Sequence, residues 1–289
     1  MVTEQLVAID VHTHVEADEH GHFSLDDQLL EASAKYFKSD DDRTPTLARL
    51  AAHYRERSMA AVVFTVDAAA ATGHSPLSSE EIAEGAAEHA DVLVPFGSVD
   101  PWRGTSAVRQ ARRLVTEYGV RGFKLHPSLQ AFEPNDRRFY PLYAAMEELG
   151  VVALFHTGQT GIGAGLPGGR GIKLRYSNPM LLDDVAADFP GLDIVMAHPS
   201  VPWADASVSI ATHKANAYID LSGWSPKYFP SQLVRATNSV LRHKVLFGSD
   251  FPVLTPDRWM AAFDQLEIKD DVRPLVLKEN AARLLGLDG

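Results

Sequence analysis

The sequence predicts an α/β fold, and within that class a single-domain (β/α)8 barrel of the TIM type. Eight short apolar runs alternate along the chain with segments of helical spacing, the pattern of parallel strands joined by helices. Eight such units in 289 residues fit a barrel better than an open sheet, which usually has fewer strands. No linker, low-complexity tract or close internal repeat divides residues 1–289.

The apolar runs, rich in Val, Ile, Leu and Phe, predict the strands. They lie at 6–14, 60–67, 92–100, 120–127, 151–158, 193–200, 217–223 and 244–252. Helical spacing predicts helices at 46–57, 79–90, 104–118, 137–149, 179–188, 202–214, 231–243 and, at the C-terminus, 271–285. Start and stop signals agree, since Ser78 and Ser79 precede two glutamates and Gly119 follows a predicted helix.

Two connections are too long to be simple turns. Residues 15–45 follow the first strand and are rich in acidic and aromatic residues, while residues 158–178 follow the fifth strand and contain seven glycines. Long connections in compact domains are usually functional or mobile. Because both follow strands, we expect both as active-site loops on the C-terminal face of the barrel.

Composition limits the classes of partner. The net charge of −11 and pI near 5.5 argue against nucleic acid and against an anionic membrane surface, so we expect a small-molecule substrate. The absence of cysteine leaves His, Asp and Glu as the side chains that could hold a metal. A basic, apolar N-terminal signal and a run of about 18 apolar residues are both lacking, which predicts a cytoplasmic location.

Polar side chains end five of the predicted strands. They are His12 and His14 on the first strand, Lys124 and His126 on the fourth, His156 on the fifth, His198 on the sixth and Asp250 on the eighth. A single histidine at a strand end often does no more than bond a neighbour. In a barrel, however, all these strand ends converge on one mouth, where burying them would cost desolvation unless a cation or substrate satisfied them.

The first pair is spaced for one face. In an extended strand His12 and His14 point the same way, while Val11 and Thr13 point the other way. Two neutral imidazole nitrogens then lie side by side, as a zinc-like cation requires of its first two ligands.

These motifs together resemble the amidohydrolase superfamily, in the branch of the aminocarboxymuconate-semialdehyde and γ-resorcylate decarboxylases. The matching motifs are the His-x-His, Gly-Phe-Lys-Leu-His-Pro at 122–127, Ala-His-Pro at 197–199, Gly-Ser-Asp-Phe-Pro at 248–252 and Glu-Asn-Ala-Ala-Arg-Leu-Leu at 279–285. The resemblance implies one divalent metal ion held by His12, His14, His156 and Asp250, with His198 acting beside it. We expect Zn²⁺, with Mn²⁺ as the alternative.

Such a site could activate water or polarise a carbonyl oxygen. Asp250 would be both ligand and general base, and His198 would stabilise an oxyanion or move a proton. Lys124 leaves an alternative open, because in other branches of the superfamily this lysine is carbamylated and bridges two metals. We expect a single metal, with Lys124 or His126 nearer the substrate.

The loops suggest the substrate. The seventh strand is followed by Trp224, Lys227 and Tyr228. The two aromatic side chains among them suit contact with an aromatic ring of the substrate, although plain packing would explain the rings as well. Arg170 and Arg175 in the glycine-rich loop suit a phosphate or carboxylate, although a mobile lid with solvated charges would explain them equally.

Segments 176–180, 221–230 and 247–259 resemble hydrolases of 4-hydroxyphenyl-β-ketoacyl-CoA. That resemblance implies a metal-dependent hydrolase that cleaves a carbon–carbon bond of an aryl β-ketoacyl-CoA, giving an aryl carboxylate and acetyl-CoA. The alternatives are a nonoxidative decarboxylase of a hydroxybenzoate-like acid, a lactone hydrolase, and a barrel that only binds a metal or ligand. Aromatic loops around the mouth further predict a homodimer.

Overall fold

A computed structural model describes residues 1, 3–37 and 45–287. Part of the predicted 15–45 loop, including its acidic run at 40–42, lies outside these residues. The described residues contain eight parallel strands, each ending near a polar residue or turn. They are β1 (Ala8–His14), β2 (Met59–Phe64), β3 (Leu93–Pro95), β4 (Gly122–Leu125), β5 (Val152–His156), β6 (Ile194–Ala197), β7 (Ala217–Asp220) and β8 (Val245–Leu246).

The strands form ladders of three (β1-β2-β3) and five (β4 to β8), all parallel. Isolated parallel bridges connect the two ladders at both junctions, Gly97 to Phe123 and Thr13 to Phe251. The Val11 amide also donates to the Phe247 carbonyl at 3.0 Å. The eight strands therefore surround one interior, as the sequence predicts for the TIM-type barrel.

Helices separate the strands in sequence, and most of them cover the outside of the sheet. Their bounds are α1 (Asp27–Phe37), α2 (Leu47–Arg55), α3 (Ala69–Thr72), α4 (Ser79–Ala87), α5 (Thr105–Tyr118), α6 (Pro127–Gln130), α7 (Tyr140–Leu149), α8 (Met180–Asp188), α9 (Ala204–His213), α10 (Ser231–Thr237), α11 (Pro256–Phe263) and α12 (Asn280–Leu284). A π-helical segment, Leu275–Glu279, leads into α12 inside the predicted C-terminal helix. Among the described residues, none of the helices has the length and apolar character needed to cross a membrane.

Two apolar cores follow from the alternation of the strands. One cluster packs strand residues such as Ala61 and Val63 against the helices, and the other fills the barrel interior with residues such as Val62 and Val94. Leu285, just after α12, belongs to the interior cluster.

The predicted connection at 15–45 is not simply a loop, because it contains α1. Asp26 Oδ1 accepts a hydrogen bond from the Leu29 amide at 3.1 Å, as an N-capping residue does, and Leu29 is buried. The 158–178 connection contains two 3-10 segments, Pro167–Gly171 and Leu174–Ser177.

Candidate active site

A register shift in β1 places the first two histidines. The pairing of β1 with β2 slips between Asp10 and Thr13, as at a β-bulge. Val11 consequently packs in the interior cluster, whereas the Thr13 hydroxyl bonds the Tyr54 hydroxyl at 3.1 Å. The expectation that Val11 and Thr13 share a face is therefore wrong, because the bulge interrupts strict alternation.

His12 and His14 nevertheless converge on one atom. Their Nε2 atoms lie 3.2 Å and 3.0 Å from Oδ1 of Asp250. Asp250 has a φ of 68°, in the left-handed region, and its amide donates to the His12 carbonyl at 3.0 Å. This unusual backbone geometry holds the carboxylate against β1. Burial would raise the pKa of Asp250, but the neighbouring His12 and His14 hold it well below its usual range.

Asp220, the last residue of β7, fixes the orientation of His12. Its Oδ2 lies 2.9 Å from His12 Nδ1, and its Oδ1 accepts from the Ser222 amide at 2.8 Å. Burial, reinforced by the charge of Lys124, lowers the pKa of His12 to about 3, so the imidazole is neutral. Because the carboxylate can only accept, we assign the proton of His12 to Nδ1, which leaves the lone pair on Nε2.

The protonation of His12 at Nδ1 bears on whether a cation fits between His12 and Asp250. The Nε2 lone pair of His12 faces the Asp250 carboxylate, and this pair of electron-rich atoms can be stabilised by a bound cation as well as by Lys124, whose Nζ lies 3.0 Å from Nε2. The spacings of 3.0–3.2 Å are close to the ~3.4 Å that separates donors around a tetrahedral ion with bonds of about 2.1 Å. Donor atoms of His12, His198 and Asp250 all lie within 4.8 Å of one another, so this group could hold one metal ion.

His198 and His156 form a second layer of imidazoles. His198, with a φ of 71°, has Nδ1 3.1 Å from the Ser222 carbonyl and Nε2 2.9 Å from His156 Nδ1. The carbonyl can only accept, so His198 is protonated at Nδ1 and His156 donates to it. The remaining nitrogen, His156 Nε2, is buried without a hydrogen-bond partner. An unpartnered buried nitrogen of this kind fits a metal ligand.

Two of the four predicted ligands, His12 and Asp250, belong to this compact group, and a third, His156, offers an unpartnered Nε2 beside it. The sequence predicts His156 as ligand and His198 beside the metal, whereas the compact group includes His198. His14 contacts Asp250, and His156 reaches the group through His198.

Lys124 lies beneath this cluster. Its side chain is fully buried, with Nζ 3.0 Å from His12 Nε2 and 5.1 Å from the centre of the Phe64 ring. Burial lowers its pKa to about 8. The adjacent His126 stacks on His156 with ring centres 3.8 Å apart. Its Nδ1 accepts from the Leu129 amide at 3.2 Å, which leaves Nε2 as the protonated nitrogen.

A cavity of about 540 Å³ opens above the cluster. Of the predicted substrate-binding residues, Lys124, His126, Trp224 and Tyr228 line it. Arg170, Arg175 and Lys227 are not among the described residues of its wall.

These three cations have other partners. Arg170 pairs with Asp26, Arg175 pairs with Glu133 at 3.5 Å, and Lys227 lies over the Tyr228 ring at 4.7 Å. The anion-binding role expected of these cations stays a prediction.

The sequence of residues 9–287 matches the model of the amidohydrolase family. The chain belongs to that family. Its fold is similar to an uncharacterised TIM-barrel protein of Bordetella bronchiseptica, with 22% identity, 96% of this chain and 98% of that chain covered, and a TM-score of 0.78.

Two further structures similar to this amidohydrolase are decarboxylases. One is 5-carboxyvanillate decarboxylase of Sphingomonas paucimobilis (17% identity, 97% and 99% covered, TM-score 0.67). The other is dihydroxybenzoic acid decarboxylase of Polaromonas with bound manganese and the inhibitor 2-nitroresorcinol (17%, 98% and 98%, 0.69). At these identities the likeness establishes the fold alone. A search of curated proteins returned no match.

Sequence reasoning overlooked part of this amidohydrolase site. Asp220 ends the apolar run of β7, so the criterion applied to the other strand ends would have found it. Gly223 has a φ of 72°, and a Cβ there would lie 2.7 Å from His198 Nδ1. Tyr36 and Phe37 line the cavity from the predicted 15–45 active-site connection, but they do so from α1, a helix that the sequence does not predict there.

Proposed function

We propose that this amidohydrolase is a metal-dependent nonoxidative decarboxylase of a hydroxybenzoate-like acid. The observation that carries the proposal is the position of the Asp250 carboxylate, between His12 and His14 and at the floor of a cavity whose wall includes Trp224 and Tyr228. Polar groups are thus concentrated where a carboxylate would react, and aromatic side chains where a ring would lie.

His12, Asp250 and either His198 or His156 would hold the cation together with His14. When bound, the cation would withdraw electron density from the substrate oxygens that it contacts. Lys124 would balance the charge of the substrate carboxylate, and His126 would donate from Nε2 to a substrate oxygen.

Asp250 is the proton carrier in this proposal. Its Oδ1 faces the two histidines of β1, whereas its Oδ2 lies toward Gly223, in the cavity wall. The bond between ring and carboxylate breaks, and its electron pair stays on the ring carbon. That carbon takes a proton that Asp250 has drawn from solvent, and carbon dioxide leaves.

Cleavage of an aryl β-ketoacyl-CoA is the second candidate, supported by the same carboxylate, which could instead take a proton from attacking water. The arginines predicted to bind an anionic group such as the CoA phosphates lie outside the described cavity wall. Arg170 and Arg175 are paired with Asp26 and Glu133. We therefore place decarboxylation first.

Isotopes distinguish the two reactions. Protein loaded with Mn²⁺ or Zn²⁺ is incubated in D₂O with a panel of hydroxybenzoates, and in H₂¹⁸O with 4-hydroxyphenyl-β-ketopropionyl-CoA. Decarboxylation yields carbon dioxide and a phenol with one deuterium on the ring, whereas hydrolysis yields hydroxybenzoate carrying ¹⁸O. Asp250→Asn should abolish either activity. Formation of labelled hydroxybenzoate without any carbon dioxide would replace the first proposal by the second.

A further inference from the structure

A small apolar cluster, separate from the barrel cores, lies beside the polar floor of the cavity. Val66, Ala68 and Leu129 are buried in it, and Leu25, Ile162 and Ile172 pack against them. Four of the six, Leu25, Val66, Leu129 and Ile162, also line the cavity. An apolar cluster under long connections is common, but here one side of it faces a ligand-sized space.

Two aromatic side chains at the end of α1 extend this wall. The rings of Tyr36 and Phe37 meet edge to face at 4.9 Å, and both line the cavity. Tyr36 remains 47% exposed. Exposed aromatic surface at a cavity mouth is favourable for binding another apolar group.

Gly161 allows these rings to lie where they do. A Cβ on Gly161 would be 2.3 Å from Phe37 Cζ and 3.1 Å from Tyr36 Cδ1. The rings of α1 therefore rest directly on the backbone of the 158–178 connection, and only glycine permits this approach.

This apolar wall is continuous with the polar floor. The Thr160 hydroxyl lies 3.5 Å from His126 Nε2 and accepts from the Ile162 amide at 3.1 Å. Two adjacent residues, Thr160 and Gly161, thus connect His126 on the polar floor with the rings of Tyr36 and Phe37. Lys124 is the one Lys or Arg among the described residues that line the cavity, and it lies on the floor.

We propose that Leu25, Tyr36, Phe37, Val66, Leu129 and Ile162, here termed the α1 subsite, bind a second, uncharged aromatic group of the substrate. The preferred acid then carries an aryl substituent on the ring that reacts. The choice of reaction rests on the proposed function, but binding of the second ring can be measured without turnover.

The test compares affinities of unreactive probes for the Mn²⁺-loaded protein. 2-Nitrophenol presents a hydroxyl and a carboxylate-like nitro group, and its 4-phenyl and 5-phenyl derivatives add the second ring. We expect the better phenyl derivative to bind about tenfold more tightly than 2-nitrophenol, because a ring is removed from water. The same comparison is made for CO₂ release from salicylate and its phenyl derivatives.

Substitutions of the residues in this wall test whether the preference for the phenyl derivatives arises at the α1 subsite. Tyr36→Ala combined with Phe37→Ala should reduce the affinity ratio to about one, since the aromatic wall is removed. Tyr36→Phe keeps the ring and is the matched control, for which the ratio should persist. Gly161→Val, whose side chain would displace the Phe37 ring, should also lower the ratio.

The proposal is overturned if neither phenyl derivative is preferred, or if the preference survives in the double alanine variant. A preference that disappears in that variant supports the subsite even if no acid is decarboxylated. In that case the proposed reaction fails and the subsite stands.

Discussion

Replacement of Asp220 by asparagine should weaken metal binding by changing the tautomer of His12. In the native protein Asp220 Oδ1 accepts from the Ser222 amide at 2.8 Å and from the Ser222 hydroxyl, while Oδ2 faces His12 Nδ1 at 2.9 Å. An asparagine keeps its carbonyl oxygen on the Ser222 side, because the donors there require an acceptor. Its NH₂ group then points at His12 Nδ1.

An NH₂ group in that position can only donate, so Nδ1 becomes the acceptor and the proton moves to Nε2. Nε2 is the atom that faces Asp250 and Lys124, and once protonated it can no longer bind a cation. Loss of such a supporting hydrogen bond typically costs 10- to 100-fold in metal affinity. We expect a loss in this range, about 1.4 to 2.8 kcal/mol.

Competition with a chromophoric chelator measures the affinity for Mn²⁺ and Zn²⁺. Asp67→Asn is the control, since Asp67 is also a buried carboxylate but bonds to the Ala69 amide at 3.2 Å and to Arg103 at 3.3 Å. Its metal affinity should equal that of the wild type. The tautomer argument is refuted if Asp220→Asn binds metal as tightly as the wild type while remaining folded by circular dichroism.

Three further variants test other parts of the structure. Gly223→Ala places a Cβ 2.7 Å from His198 Nδ1 at a φ of 72°, and we expect a loss of about 1–2 kcal/mol in urea unfolding together with lower turnover. Burial raises the pKa of Asp67, so the contribution of Asp67 to the free energy of unfolding should fall as pH rises above about 3.9, and urea titrations of Asp67→Asn and the wild type should differ by that decline. Arg170→Ala should leave kcat/KM for a single-ring acid unchanged, because Arg170 pairs with Asp26 outside the described cavity wall, and a large drop would restore its predicted role.

The barrel was predictable because its signal is repeated eight times, so an error in one unit does not change the topology. The ends of the units were less predictable. The run at 244–252 yields a regular strand only at Val245–Leu246, because backbone bonding to β1 continues through residues such as Asp250 in a left-handed conformation. Apolar composition does not encode that change of conformation.

The ion-pair partners of charged residues in the loops could not be predicted from the sequence. Arg170 was expected to meet an anion, and it does, but the anion is Asp26, 144 positions away. Charge patterns give the sign of a partner and not its identity. Strand-end residues were more predictable, since the barrel topology itself brings His12, His14 and Asp250 together.

Three buried aspartates lie around β1. The side chains that contact each of them, rather than the depth of burial, decide whether its pKa is raised or lowered. Burial raises the pKa of Asp10 to about 6, because its side-chain partners are the neutral hydroxyls of Tyr54 and Ser249. Asp220 is fully buried and Asp250 is 9% exposed, yet facing imidazoles hold the pKa of both well below the usual range. Asp10 Oδ1 also accepts from the His12 amide at 3.1 Å and the Ser249 amide at 2.9 Å, which fastens β1 to the chain after β8. Asp10 therefore positions the backbone on which the metal group is built, while Asp220 and Asp250 supply the negative charge that a cation requires.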